Sequence, residues 1–529
     1  MMSSPRAALA GLLLALAVLP GCLTSSELQC TAGLSKCADT CVATQTDSKN
    51  CGSCGSACNG GNVCVNGGCV CPVGQQVCNG VCTAIATDPR NCGSCGFVCA
   101  TKPDGGSDQA CNQGVCQDCG AGGCRTALVA GCIAGPGGGY LQQVHDLPDG
   151  LLLDSPANPS GASFPDALGV LGSVLLYADH DSSSLFEIPI GSLGTASASQ
   201  PPLIGSVSGS KAGTTQLLVV PVDGGTLLYA TTSSVNAIRT FGGPSPVNAG
   251  PLLANGSGSL GLVIAGGVGF DAGSFPEPFA AIGSEIFVPL NGTGQVVRIN
   301  VANPASAQFL ATYDLAPLVA ALPGGGVAAD GGPFIASPTQ AIARNGYVYV
   351  AANVLRYYAD FSGADYGPPL VARIDPNASG AAAVTALGGF ADAGIFDGGV
   401  PCQNVEWLAN LPLGAVATPM LVSCAGARAY DKDYNVTSVT NTALVLLDAK
   451  DQPIGFWVPR ALPPARPPSV GRAVPQNTTV YVADETAGRL YVVDYTTNGF
   501  VERVGSRNGF TAPVVCPSYI TDLTVVPAP

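Results

Sequence analysis

The sequence is poor in the residues that many catalytic and nucleic-acid-binding proteins rely on. Only two histidines, His145 and His180, occur in 529 residues, which leaves little material for histidine-based catalysis or a histidine metal site. Charged residues make up 11% of the chain, against about 25% in typical soluble domains. Lysine and arginine total 21 against 35 aspartates and glutamates, and the cations are scattered, so we expect no nucleic-acid partner.

Long apolar runs and the common catalytic motifs are also missing. Beyond the N-terminus no segment reaches the roughly 18 uninterrupted apolar residues of a membrane-spanning helix. The 70 glycines and 42 prolines exclude an all-helical protein, because both residues interrupt helices. Neither G-x-S-x-G nor H-E-x-x-H occurs. The sequence therefore favours a protein without catalytic activity.

What is present begins with an export signal over residues 1–21. Arg6 supplies the positive charge, and the apolar run 7–18 is too short for a bilayer that needs about 20 residues. The run leads into Leu19-Pro20-Gly21-Cys22, which resembles the bacterial lipobox, although proline is less usual two residues before the cleavage point. The resemblance implies cleavage before Cys22 and lipidation of its thiol and new amino group. Ordinary signal cleavage nearby is the alternative.

A lipidated Cys22 fixes the expected location. Several acyl chains on one residue would hold the protein on a membrane, with residues 22–29 as a tether. We therefore expect an extracytoplasmic protein, lipid-anchored to a bacterial membrane, at the outer membrane or the cell surface. The membrane is then one partner, reached through the anchor.

Cysteine is concentrated in one short stretch. All but three of the 23 cysteines lie within residues 22–132, where Phe97 is the single aromatic residue. Such a segment cannot fold on an apolar core, so disulfides must hold it together. Two tandem repeats, 30–70 and 71–118, carry eight cysteines each, an even number that suits four internal disulfides. The sixteen are Cys30, Cys37, Cys41, Cys51, Cys54, Cys58, Cys64, Cys69, Cys71, Cys78, Cys82, Cys92, Cys95, Cys99, Cys111 and Cys116.

Each repeat contains a T-D-x-x-N-C-G-S-C-G core, at 46–55 and again at 87–96. In this core the chain resembles the stigma-specific cysteine-rich family, which implies a small extracellular module without known catalytic chemistry. The C-terminal pair Cys64-x₄-Cys69 departs from the adjacent doublet of the plant pattern. The C-x-x-C pairs in the core are alternatively halves of zinc sites or redox pairs, but an exported chain meets an oxidising compartment that favours disulfides.

Six cysteines remain after the repeats and Cys22. They are Cys119, Cys124, Cys132, Cys402, Cys424 and Cys516. Cys402 and Cys424 flank two apolar strands, so a hairpin brings them to the spacing a disulfide needs. By parity, Cys516 must then bond to one of the three cysteines in the linker 119–139, and the other two pair together.

Residues 140–529 carry six copies of one plan, in which an apolar strand leads through a polar turn to a second apolar strand. The copies centre on Tyr177, Tyr229, Phe287, Tyr349, Val422 and Tyr481. Regular strand pairs of this kind predict an all-β fold, a β-propeller with six countable blades and room for a seventh. The last copy, 481–494, resembles NHL-type or YVTN-type propeller repeats. A pair of β-sandwiches or a β-helix is the alternative.

Candidate sites are few. Asp431, Asp433 and Asn435 alternate like the opening of a calcium loop, but Val436 stands at its sixth position, where the loop needs glycine. A solvated turn is the simpler interpretation, so we expect no cofactor, with Ca²⁺ as the alternative. Asp179-His180-Asp181 occupies the turn of the first strand pair, where a carboxylate beside the imidazole would form a base.

The leading hypothesis is an exported, lipid-anchored envelope protein. Its propeller binds an envelope protein or glycan and is presented on a disulfide-stapled stalk. Two alternatives stay open. One is a propeller hydrolase or lyase with a channel-bound Ca²⁺, and the other is a structural component of an envelope or spore coat.

Overall fold

The structure is a computed structural model, and its description covers part of the chain. The described residues are 30, 34–38, 40–45, 47, 49–58, 63–65, 67–70, 76–78, 81–83, 94–97, 109–112, 115–118, 126–133, 138–147, 150–153, 158–159, 162–171, 174–181, 184–190, 193, 203–206, 213–222, 225–242, 263–303, 306–322, 326–328, 331–358, 363–387, 395–396, 400–411, 419–431, 436–462, 466–476, 479–496, 499–503 and 513–526. The export signal and Cys22 lie outside them. Within these ranges no helix has the length and apolarity to cross a bilayer.

The chain divides into two compact units, Met1–Pro72 and Val73–Pro529. The first unit consists of two short antiparallel hairpins, Ser35–Cys37 with Thr40–Val42 and Val63–Val65 with Gly68–Val70. Four disulfides hold it together: Cys30–Cys41, Cys37–Cys54, Cys51–Cys64 and Cys58–Cys69. All eight cysteines of the first repeat are therefore bonded within that repeat, as their even number predicts.

The second unit begins with the equivalent hairpins of the second repeat, Gln76–Cys78 with Val81–Thr83 and Gln109–Asn112 with Val115–Asp118. Its disulfide Cys78–Cys95 occupies the position of Cys37–Cys54 in the first repeat. The duplication seen in the sequence is thus also a duplication of local structure. The side chains of Cys71, Cys82, Cys92, Cys99, Cys111, Cys116, Cys119 and Cys124 lie outside the described part of the chain.

The rest of the second unit is a seven-bladed β-propeller of antiparallel sheets, which confirms the predicted fold class. Each blade has four main strands, which follow one another from the innermost strand outward. Blade 1 contains Pro165–Leu171, Val174–Asp179, Ser184–Pro189 and Leu203–Ser206. Blade 2 contains Thr214–Val222, Gly225–Thr232, Ala237–Gly242 and Val263–Gly269. Blade 3 contains Ala280–Ile282, Glu285–Leu290, Gln295–Asn300 and Gln308–Asp314.

Blades 4 to 6 continue the same order. Blade 4 contains Ile335–Arg344, Tyr347–Tyr357, Leu370–Ile374 and Val384–Ala386. Blade 5 contains Val405–Asn410, Met420–Cys424, Ala443–Leu447 and Pro453–Trp457. Blade 6 contains Val470–Gln476, Thr479–Asp484, Leu490–Thr496 and Gly499–Glu502. Additional elements are the strand Ala364–Tyr366, the hairpins Ile395–Phe396 with Val400–Pro401 and Ala427–Tyr430 with Val436–Thr440, the α-helix Ala316–Ala321 and the 3₁₀ turn Gly380–Ala383.

Blade 7 is built from both ends of the propeller sequence. Its inner strand is Ile520–Val526, which pairs with Thr126–Ile133, followed outward by Gly139–Leu147 and Gly150–Leu153, with Asn158–Pro159 beside the third strand. Thr126–Ile133 therefore belongs to the propeller sheet, although we expected residues 119–139 to be a linker. Its apolar sequence is buried between neighbouring blades, and this burial explains why it forms a strand.

Seven apolar clusters make up the core, one between each pair of adjacent blades. Successive residues of a central strand face opposite neighbours: Val348 and Val350 pack toward blade 3, while Tyr349 packs toward blade 5. Both faces of such a strand are buried, so its sequence is apolar throughout. The six strand pairs seen in the sequence are accordingly the second and third strands of blades 1 to 6.

The inner strands differ from this plan, because they carry irregularities in their first residues. Bulges occur in blades 1, 2, 4, 5, 6 and 7, among them Asp166/Gly169, Thr214/Gln216 and Ile520/Asp522. A bulge breaks the ladder and turns side chains toward the propeller axis. Polar residues consequently collect where the inner strands begin, at one face of the propeller.

Candidate functional site

A cavity of about 550 Å³ opens at this face. Three kinds of element form its walls: residues at the starts of inner strands, the loop after the second strand of blade 6, and the extra hairpin of blade 5. Its lining side chains are Phe164, Asp166, Arg428, Tyr430, Val436, Arg466, Glu485, Thr486, Tyr519, Ile520 and Thr521. The volume lies within the roughly 300–1,000 Å³ of small-molecule sites in proteins.

Arg428 is the centre of an ion network on one wall. Its Nη2 contacts Oε2 of Glu485 and lies 3.5 Å from Oε1 of Glu406, and its Nε and Nη2 donate to Oγ of Ser469 at 3.3 and 2.9 Å. Ser469 in turn donates to the carbonyl of Ala425. The charge of Arg428 is thus paired with protein carboxylates, and these contacts hold the hairpin against blade 6.

Burial raises the pKa of Glu485, and the neighbouring Glu406 carboxylate raises it further, while Arg428 opposes both effects. Burial alone would lower the pKa of Arg428, but the Glu406 and Glu485 carboxylates outweigh it and raise the pKa. The cavity wall therefore combines a permanently charged guanidinium with a carboxyl group that holds its proton more strongly than an ordinary glutamate.

Asp166, which lines the cavity, forms a second polar pair with His180, which lies outside the lining. Nδ1 of His180 lies 3.4 Å from Oδ2 of Asp166. Its interaction with that carboxylate raises the pKa of His180, and burial only partly offsets this. The sequence placed His180 beside Asp179 and Asp181, but its partner comes from the start of the inner strand of blade 1.

Asp179 has a structural role instead. Its carboxylate accepts hydrogen bonds from Oγ of Ser163 at 3.1 Å and from the N–H of Phe164 at 3.0 Å. These bonds fix the chain that leads into the inner strand of blade 1. The carboxylate beside the imidazole of His180 is therefore that of Asp166 and not that of Asp179.

Aromatic rings flank these polar groups. The rings of Phe164 and Tyr519 lie 6.0 Å apart, and Phe164 also contacts the imidazole of His180 at 5.0 Å between centroids. Burial raises the pKa of Tyr519, and the Asp166 and Asp181 carboxylates add to the shift. The Tyr519 hydroxyl therefore stays protonated at neutral pH and is able to donate a hydrogen bond into the cavity.

Arg466 differs from Arg428 in its surroundings. It is exposed at the edge of the cavity and its Nη1 donates to the carbonyl of Thr486 at 3.1 Å. Among the residues with described side chains, no carboxylate forms an ion pair with it. Arg466 therefore presents its guanidinium to the cavity, and none of the described carboxylates acts as its counter-ion.

A second set of contacts joins the inner strands, which surround the central channel of the propeller. Asp522 accepts a hydrogen bond from the N–H of Leu168 at 2.6 Å and contacts Nη1 of Arg472, whose guanidinium carbon lies 4.4 Å from the centre of the Trp407 ring. These contacts connect the inner strands of blades 7, 1, 6 and 5. They fix the ring of strands on which the cavity rests.

Glu277 is a further carboxyl group with a shifted pKa, and its side chain is half-buried. Burial raises its pKa to about 8, the Asp166 carboxylate contributes to the increase, and a contact with Oγ of Ser233 at 3.5 Å opposes it. Glu277 is therefore largely neutral at physiological pH. A neutral carboxyl group adds no negative charge to the channel.

One of the weak calcium candidates, Asp431, lies next to the blade 5 hairpin that borders the cavity. Asp431 is exposed and follows the strand Ala427–Tyr430 directly, whereas Asp433 and Asn435 lie outside the described residues. On either side of the segment that contains them, Tyr430 pairs with Val436. Within the described ranges, no group of three acidic side chains gathers at this turn.

Three sulfur atoms also lie close together, those of Cys51, Cys58 and Cys64. All three belong to disulfides, so they cannot supply the thiolates that zinc requires. Cys51 and Cys54, the C-x-x-C pair of the first repeat, are bonded to Cys64 and Cys37 respectively, not to each other. The disulfide interpretation of this motif is confirmed.

Sequence reasoning missed Asp166, Arg428, Arg466, Glu485 and Tyr519. One signal was present: Glu485 directly follows the strand Thr479–Asp484, in the same position as His180 after Val174–Asp179. Loops that follow second strands lie at one face of a propeller, so these positions converge. The other residues come from segments that no periodicity marks.

No protein-family model matches the chain, and no curated protein matches it. Solved structures with similar folds include a 6-phosphogluconolactonase-like protein of Bacteroides fragilis, 11% identical with a TM-score of 0.45, covering 76% of this chain and 98% of that one. Virginiamycin B lyase from Staphylococcus aureus is 9% identical with a TM-score of 0.38, covering 68% and 91%. AztD from Citrobacter koseri is 13% identical with a TM-score of 0.40, covering 76% and 98%. Similarities this distant carry no argument about activity or ligand.

Proposed function

We propose that this is an exported, lipid-anchored envelope protein whose propeller binds a glycan in the cavity at the channel mouth. The lipobox-like sequence at Cys22 supports the anchor, and the disulfide-bonded repeats lie between it and the propeller in the sequence. The observation that carries the proposal is the cavity itself, with its mixture of aromatic rings and hydrogen-bonding groups.

Glycans suit this mixture for a physical reason. A sugar ring has an apolar face that packs on an aromatic side chain and a rim of hydroxyl groups that both donate and accept hydrogen bonds. Phe164 and Tyr519 offer the ring surfaces, and the carboxyl groups of Asp166 and Glu485 accept from hydroxyls.

A glycan array tests the proposal. The purified chain, with its signal removed, is compared with Tyr519→Ala and with Tyr358→Ala, a matched control whose ring is 45% exposed and outside the cavity lining. We expect binding to a defined set of glycans that Tyr519→Ala abolishes and Tyr358→Ala preserves. Absence of glycan binding, or equal loss in both variants, would overturn it.

The same samples test the enzymatic alternative. Each glycan that binds is incubated with the protein at stoichiometric and catalytic ratios, with and without Ca²⁺, and products are followed by mass spectrometry. We expect the glycan to be recovered unchanged. Turnover that depends on Ca²⁺ would replace the binding function by a hydrolase or lyase.

A further inference from the structure

We propose that the cavity selects a uronic acid, a sugar that carries one carboxylate, and that Arg466 binds this carboxylate. The inference rests on the proposed glycan-binding function and adds the chemical class of the ligand. It follows from which charged side chains of the cavity already form ion pairs within the protein.

Arg466 is oriented but not neutralised. A guanidinium has five N–H donors in a fixed fork, and the bond from Nη1 to the Thr486 carbonyl uses one of them. The remaining donors are available for a planar acceptor with two oxygens, and a carboxylate matches the fork in a bidentate geometry. A carbonyl oxygen holds the arginine in place without cancelling its charge.

Arg428 cannot play this role. Its guanidinium is already in contact with the carboxylates of Glu485 and Glu406 and with the hydroxyl of Ser469. Within the described lining, the cavity thus offers one unneutralised guanidinium, and a single cation matches a single negative charge. A phosphate ester carries more charge than this and would leave part of it unpaired near Asp166 and Glu485.

The remaining groups suit the rest of a sugar. Asp166 and Glu485 both line the cavity and accept hydrogen bonds from hydroxyls, and Tyr519 offers a ring face. Carboxyl groups of the protein would repel a ligand that met them with its own carboxylate. The acid must therefore point to Arg466, which fixes the orientation of the ligand as well as its class.

Isothermal titration calorimetry with small probes tests the inference. Methyl glucuronide and methyl galacturonide are compared with the neutral methyl glucoside and methyl galactoside and with glucose 6-phosphate. The proteins are the wild type, Arg466→Gln, Arg466→Lys and the control Arg460→Gln, which removes an arginine that pairs with Glu502 outside the cavity.

We expect at least one uronide to bind at least tenfold more tightly than its neutral counterpart. Arg466→Gln should remove that difference without weakening the neutral sugar, Arg466→Lys should restore part of it, and Arg460→Gln should change nothing. Equal affinity for acidic and neutral sugars, or tighter binding of glucose 6-phosphate, would overturn the inference and leave the glycan site standing. If no sugar binds, both the inference and the proposed function fail.

Discussion

Cys132 and Cys516 are 384 residues apart in the sequence and are joined by a disulfide, with their Cα atoms 5.3 Å apart. Cys132 lies in the second strand of blade 7, and Cys516 lies just before the inner strand of the same blade. The disulfide therefore closes the propeller at the place where the strand ladder also closes it. It confirms that Cys516 bonds to one of the three linker cysteines, and Cys402 bonds to Cys424 as expected.

The Cys132–Cys516 disulfide also lies close in sequence to residues that line the cavity. The segment that leads from Cys516 into the inner strand contains Tyr519, Ile520 and Thr521, all of which line the cavity. A covalent tie a few residues away limits the freedom of this wall. Stability of the ring and geometry of the cavity are thus connected.

Removing the Cys132–Cys516 disulfide should cost more stability than removing the Cys402–Cys424 disulfide. In the chain-entropy model a cross-link of this span contributes about 6 kcal/mol, and the short Cys402–Cys424 loop about 3.5 kcal/mol. We therefore expect Cys132→Ala/Cys516→Ala to lower the free energy of unfolding by about 2.5 kcal/mol more than Cys402→Ala/Cys424→Ala. Urea denaturation measures both. All four cysteines are fully buried, so packing losses are matched; an equal or larger loss in the control pair would contradict the prediction.

Asp522→Asn should destabilise the propeller strongly. Asp522 is 1% exposed, and its carboxylate is the partner of Arg472 on the neighbouring inner strand. The substitution removes the carboxylate that contacts this guanidinium, at a cost of about 3 kcal/mol. Asp375→Asn is the control, since that partly exposed carboxylate accepts a hydrogen bond from the N–H of Asn377 and an amide oxygen does the same. Similar denaturation midpoints for the two variants would rule out the role given to Asp522.

Glu277→Gln should change the pH dependence of stability. The folded protein keeps the Glu277 proton up to about pH 8, whereas the unfolded chain releases it near pH 4.5, so the folded form binds more protons between these values. The Glu277 contribution to stability therefore falls as pH rises through this window, and glutamine removes the effect. We expect the variant to gain about 2 kcal/mol over the wild type between about pH 5 and pH 8, less than the full shift because the side chain is partly exposed. Thermal unfolding at both pH values gives the answer, and parallel pH profiles would contradict it.

Cys22→Ala should release the protein from membranes if the lipid anchor is real. The variant loses the residue that would carry the acyl chains, and residues 22–29 contain no other apolar run to replace them. Membrane fractionation with a high-salt wash measures the distribution, and mass spectrometry of the wild type tests for the acyl groups. A Cys22→Ala protein that stays in the washed membrane fraction would refute the anchor.

Most of the fold was predictable because central strands are buried on both faces. The residues around Tyr177 and around Tyr481, for example, form apolar runs. Polar turn residues separate each of these runs from the next. A seventh blade was allowed for but not counted, because its inner strand and the other three come from opposite ends of the domain. Thr126–Ile133 also lies among cysteines and glycines that indicated a linker.

The site was harder to predict, because it is made by tertiary contacts. His180 was singled out, but its partner Asp166 lies in a bulged inner strand that has no apolar period. Arg466 follows a proline-rich segment, and Arg428 lies in a hairpin that interrupts the plan of blade 5. Whether Arg428 or Arg466 is ion-paired depends on the distances between side chains of different blades. The sequence does not show these distances.

Hydrogen–deuterium exchange with mass spectrometry, on the free protein and on the protein saturated with its tightest-binding glycan, tests the central claim most directly. The account predicts that the glycan slows exchange in three of the segments that line the cavity, 427–440, 485–490 and 519–523. It predicts no change in the outer strand Gln308–Asp314 or in the hairpins of the first repeat. Protection confined to the outer strands or to residues 30–70, with none at the channel mouth, would contradict it.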